Sequence, residues 1–316
     1  MSLPEESVLR EVVERYARLA SRLGGELGRR PMVLPDAASF PDVFTPDLES
    51  VAVLVERMLE HAGMEDIPVG VALGGDDPAA ASGGCCGGGA CAAPSSSAAP
   101  RVAEEGDGWL LTVPAAELAQ PTVLTANLAR ALALVFLMET RDEREPLEAP
   151  LDISIDLTAV ALGFGALLLE GAYIYAKSCG GPRVSSVTAL GVAELAVALA
   201  LFAGAGGHPL KQARKHLGAT QLDALGEAST WLQSNPRLVE RLRSDPAALA
   251  RGEYTLDGAK PWLLRAIGRR RGPAAGSFEE LEASLARGAA RRSAPGAAEP
   301  DDELARLVAE ELEASR

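Results

Sequence analysis

The chain has 316 residues, 47% of them hydrophobic, which is ample for a core and fits one large or two modest domains. Its formal net charge of −14 opposes a general role in binding nucleic acid, which rests on clustered Lys and Arg. The one tight basic run, Arg269–Arg271, reads as a solvated segment rather than a phosphate-binding patch.

In chain order, PEESVLREVVERYARLASRLGG predicts an amphipathic helix, with Pro4 in its first turn, Gly24 at its end and a stripe of Val8, Val12, Tyr16, Leu19 and Leu23. Glu5, Glu6, Glu11 and Glu14 break up any apolar export signal, so the expected location is cytoplasmic. A proline-rich linker follows. DLESVAVLVERMLEHAGM then predicts a helix capped by Asp47 and stopped by Gly63. IPVGVAL, residues 67–73, and WLLTVP, residues 109–114, predict two strands that pair with each other. Between them, residues 74–100 are a Gly/Ala/Ser/Cys tract with nothing to bury, which predicts a mobile loop.

From Thr122 the chain reads as mainly helical. PTVLTANLARALALVFLME is one helix, DISIDLTAVALGFGALLLEGAYIYA a second and SSVTALGVAELAVALALFAG a third. LKQARKHLGATQLDALGEASTWLQ supplies one or two more, and Pro236 and Pro246 bracket a short helix, RLVERLRSD. Leu157–Tyr175 and Val187–Gly206 have about the length of a membrane span. Glu170 and Glu194 and the missing aromatic and basic flanks make them buried core helices instead, and no membrane partner is expected. The order of elements predicts an α+β fold with a small antiparallel sheet and a mainly helical second half.

Asp152 and Asp156 stand four apart in an apolar run, on one face of a helix. Buried carboxylates are costly unless they are paired or bind a metal. DISIDLTAVALGFG resembles the second site helix of small zincin-like metallopeptidases of the gluzincin type, as uncharacterised bacterial relatives write it with Glu first. VAELAVALALFAG resembles their third helix, and FPDVFTPD with the following helix and IPVGVAL resembles their N-terminal part. The likeness covers roughly residues 35–240. It implies a zincin-like fold for a 31–248 domain; amphipathic pattern and composition add a 1–30 N-terminal helix and a 249–316 extension of loosely attached acidic helices.

In that family the two histidines of H-E-x-x-H and a Glu from the second helix hold zinc, and the Glu of the motif is the general base that activates the bound water. The mapping puts Asp152 at the ligand position and Asp156 at the position that orients a ligand histidine. VLTANLARALALVF matches the first site helix in place and texture, but Ala126, Asn127 and Arg130 stand where His, Glu and His belong. Ala126 has no ligand atom, Asn127 accepts no proton and Arg130 is a fixed cation. The resemblance therefore implies a pseudoenzyme with no catalytic residues and no expected cofactor, acting by binding an unidentified protein or peptide. The expectation is that Arg130 takes the place of the metal and forms an ion pair with Asp152 or Asp156. Helix capping is the other role open to Asp152.

Cys85, Cys86 and Cys91 are three thiols within the Gly-rich tract, a weak signal for zinc or copper(I). Cys179, in KSCGGPR, has no His/Asn constellation that would make it a nucleophile. His61, His208 and His216 share no obvious site and read as surface histidines. The other reading of function is a metal-dependent hydrolase with a rearranged site, built from Asp152, Asp156 and one of the later histidines. The acidic terminal helix with Glu303, Glu310, Glu311 and Glu313 reads as solvated.

Overall fold

Asp47 does cap the helix that follows it, accepting the Ser50 amide at 2.8 Å, and Gly63 closes that helix in the left-handed conformation. The computed structural model describes residues 3–24, 28–74, 101–141, 147–178 and 181–258. All of these belong to one unit, Met1–Pro261. The cysteine tract (residues 75–100), Cys179, Arg269–Arg271 and the acidic C-terminal helices lie outside the described residues.

The elements are α1 (Glu6–Leu23), α2 (Leu48–Ala62), β1 (Val69–Gly74), β2 (Val102–Glu105), β3 (Gly108–Pro114), α3 (Pro121–Thr140), α4 (Leu151–Ala159), α5 (Gly165–Gly171), β4 (Ile174–Ser178), β5 (Gly181–Ser185), α6 (Val192–Gly206), α7 (Leu210–Ala213), α8 (Ala219–Ser234), α9 (Pro236–Ser244) and α10 (Pro246–Ala250). The fold is mixed α+β with a small sheet and a mainly helical second half. Helix α6 runs through the centre, with Leu195 to Ala203 all buried. Around it pack α8, α9, α5 and α1, and α1 also packs on α10. The α1 face that goes inward is Leu9, Val12, Val13, Tyr16, Ala17 and Ala20.

Three expectations need correction. The sheet is not purely antiparallel. Its order is β1-β3-β2, and β1 pairs with β3 in parallel, Val69 opposite Trp109, while β2 and β3 form the antiparallel hairpin. Parallel neighbours need a long connection, and β1 and β3 are separated by residues 75–107. Strand β2 has an exposed, acidic pattern that hid it in the sequence.

The second helix of the helical half does not run on to Ala176. It ends at Gly171, and the chain turns into a second antiparallel hairpin, β4–β5. The third helix begins at Val192 rather than Ser185. Helices Pro121–Thr140 and Leu151–Gly171 are long and apolar enough to cross a membrane by length and composition, and most of each is buried within the fold.

Leu151–Gly171 is also broken in the middle. Residues Val160–Phe164 form a π-helical turn, and Gly163 has φ +103°. A neighbouring chain segment causes the break. Val33 donates its amide to the Gly163 carbonyl at 3.0 Å, and the Pro31 carbonyl oxygen would lie 2.2 Å from any Cβ placed on Gly163. Both the dihedral and the contact exclude a side chain here. Gly163→Ala is expected to cost at least about 2 kcal/mol in urea unfolding, with the spectrum of the native state retained.

Candidate functional site

Helices α3 and α4 lie side by side, and α3 also packs against α5. Two features of the chain set this geometry. Gly171 lets α5 approach α3 so closely that an added Cβ would meet the Ala126 methyl at 2.6 Å and Val187 at 2.9 Å. The Val187 amide then donates to the Gly171 carbonyl at 3.1 Å, which ties the segment before α6 to the end of α5. Ser186 Oγ accepts the Thr188 amide, and Thr188 Oγ1 donates to the Leu190 carbonyl, so residues 186–190 form a tight polar turn.

A buried ion cluster fills the space that these elements enclose. Arg130 on α3 is 1% exposed, and its Nε donates to Asp156 Oδ1 at 2.7 Å. Its Nη2 donates to Asp152 Oδ1 at 2.9 Å. Asp156 is fully buried, and its second oxygen, Oδ2, accepts the amides of Ala189 at 2.7 Å and Leu190 at 2.8 Å. Asp152 is 39% exposed and sits in the first turn of α4. The expected pairing is therefore present with both aspartates. No side-chain capping bond is made at the start of α4, but the Asp152 charge still suits the helix dipole.

Burial pushes the Asp156 carboxyl above the usual range, while Arg130 and the two amides hold it down; burial wins. The carboxylate is nonetheless surrounded by donors, and no buried atom of Arg130 or Asp156 lacks a hydrogen-bond partner.

The remaining positions of the candidate site are occupied by structural contacts. Ala126 is buried against Val123 and Val187. Asn127 is half-buried, and its Nδ2 donates to Glu117 Oε2 at 3.0 Å. Glu117 comes from the short turn between β3 and α3. Burial raises its pKa, and the bond from Asn127 opposes that rise. Sequence reasoning missed this carboxylate, because a turn separates it from Asn127 and no helical spacing links the two. It also missed the amides of Ala189 and Leu190, which carry no side-chain signature.

The histidines are not part of this cluster. His208 stacks on Phe202 at 5.1 Å between ring centroids. The His216 ring lies 3.7 Å from Asp36. His61, at the end of α2, faces the Ser39 carbonyl at 2.8 Å. Among the described residues no group of three or more His, Cys, Asp and Glu is arranged to hold a metal ion. The candidate ligands Cys85, Cys86 and Cys91 lie outside the described residues. No family model matches the chain, and no curated protein or solved structure matches it.

Two predictions follow from the cluster. Arg130→Met leaves Asp156 buried without its cation and is expected to cost about 3–5 kcal/mol in chemical unfolding, whereas the half-exposed Asp152→Asn costs under about 1 kcal/mol. The double variant Arg130→Met/Asp156→Leu should recover much of that loss, because an apolar pair carries no stranded charge.

The second concerns pH. With its folded-state pKa raised, Asp156 stabilises the fold most when protonated, below the ordinary carboxylate value, and this contribution is lost as pH rises through the raised pKa. Removing Arg130 raises that pKa further. The deficit of Arg130→Met against the parent protein should therefore be largest at neutral pH and shrink towards about pH 5.

Proposed function

We propose that this chain is a non-catalytic, zincin-like protein that works by binding a protein or peptide. The observation that carries the reading is Arg130 held between Asp152 and Asp156, where the resemblance would place a metal between two helices.

The side chains at these positions do not suit zinc. Ala126 offers no heteroatom, Arg130 repels a cation, and both Asp156 oxygens are already engaged. Nor does the base position suit proton transfer, since Asn127 has no basic lone pair and its amide nitrogen is committed to Glu117. The guanidinium satisfies the carboxylates as a cation would, but it has no vacant coordination position with which to polarise a substrate or activate water. A scaffold kept in this form has recognition, rather than bond cleavage, as the use its surface supports.

Elemental analysis of the purified chain, together with a broad fluorogenic peptide panel, tests this. The expected result is zinc well below one per chain and no hydrolysis above background. One tightly held zinc per chain lost in Asp152→Asn, or peptide cleavage abolished by that variant, would overturn it.

A further inference from the structure

Residues 41–49, PDVFTPDLE, are all exposed. They include Val43, at 90% exposure, together with Phe44 and Leu48. Apolar side chains on a surface loop usually turn inward or belong to a loose segment. Here the loop is pinned by polar bonds. The Thr45 amide donates to Ser50 Oγ at 3.1 Å, and Thr45 Oγ1 donates to Asp47 Oδ2 at 2.5 Å. Arg57 on α2 donates to Asp42 Oδ2 at 2.8 Å, which fixes the other end. Val43 and Phe44 are thus held outwards at one edge of a groove of about 390 Å³. Phe40, Val53 and Leu54 supply the rest of its apolar lining.

The charge around the groove has one sign. Of the charged residues that line the groove, Asp42, Asp47 and Glu49 are acidic and Arg57 is the one cation. Arg57 is neutralised by Asp42 and Glu60. Glu49 and Glu56 stand seven residues apart on the same face of α2, with Val53 between them, and among the described residues neither makes an ion pair.

We infer that this groove docks a basic segment of a partner protein in which apolar side chains alternate with Lys or Arg. The apolar residues enter between Val43, Phe44, Val53 and Leu54, and the cations meet Glu49 and Glu56. The groove's negative rim opposes the other occupants. A second copy would set the same acids against each other, and an anionic membrane or nucleic acid would be repelled. Because the loop is already ordered, little conformational freedom is lost on binding. The inference deepens the binding role proposed above, but it concerns a surface apart from Arg130.

The test uses the full chain and a fluorescein-labelled Lys/Leu peptide of amphipathic helical spacing, read by anisotropy. The peptide is expected to bind the parent. Val43→Ser/Phe44→Ser and Glu49→Lys/Glu56→Lys should each weaken binding by about tenfold or more while leaving the thermal midpoint unchanged. A Lys/Ser peptide of equal charge should bind much more weakly. The inference is overturned by no binding to the parent, by undiminished binding to Val43→Ser/Phe44→Ser, or by equal binding of the Lys/Ser peptide. A dimer in sedimentation that dissociates in Val43→Ser/Phe44→Ser would give the groove to a second copy and overturn it as well. These outcomes are separate from the metal and peptidase assays, whose failure would leave the groove assignment standing.

Discussion

The packing of α3, α4 and the entry to α6 has to meet one cost, that of keeping the Asp156 carboxylate away from water. A buried charge is tolerable only with several donors in place, and Asp156 collects one from Arg130 and two from the turn before α6. Those donors arrive from two parts of the chain, and the carboxylate stands on a third. The cluster therefore fixes α3, α4 and the entry to α6 relative to one another, whatever its net contribution to stability. Buried ion pairs of this kind are weak evidence for stability and better understood as constraints on geometry, since losing one partner is far worse than losing both.

A guanidinium and a metal ion satisfy carboxylates in different ways. Both attract carboxylates from adjacent helices and orient them. The guanidinium donates through fixed N–H groups in one plane, so each oxygen is met at a set angle and the cluster is closed to a further ligand. A metal with an open coordination position does the opposite and leaves room for chemistry. The neighbouring contacts agree with the closed form. Gly171 brings α5 against Ala126, so that side of α3 is filled by backbone and by Val187. A histidine placed at Ala126 would meet that steric barrier.

Much of this was legible in the residues and some was not. The caps of α2 and the span of α3 follow from local chemistry: a side-chain oxygen before a helix and apolar continuity between breakers. The meeting of Arg130 with the aspartates was expected through the resemblance, together with the cost of leaving buried carboxylates unpaired. The parallel pairing of β1 with β3 was not legible, because strand direction depends on the path of the crossover and not on the strands' own residues. Nor was the break at Gly163, since an isolated glycine inside an apolar helical run has the same local appearance whether or not a second segment crosses it. Its cause is Pro31 and Val33, more than a hundred residues earlier. The amides that complete the Asp156 shell are similarly invisible, being backbone groups presented by a Ser–Thr turn.

The placement of polarity differs between the interior and the α2 surface. Inside, the opposite charges of Arg130, Asp152 and Asp156 are paired and hydrogen-bonded. Outside, along α2 and the loop before it, acids surround apolar side chains that the loop's own hydrogen bonds prevent from folding inwards. Hydrophobic burial would favour turning Val43 and Phe44 to the core. The bonds of Thr45, Asp47, Ser50 and Arg57 resist this by fixing the backbone on either side of them. Exposed apolar side chains in a segment held this firmly form a prearranged contact surface, and the surrounding carboxylates limit what can approach it.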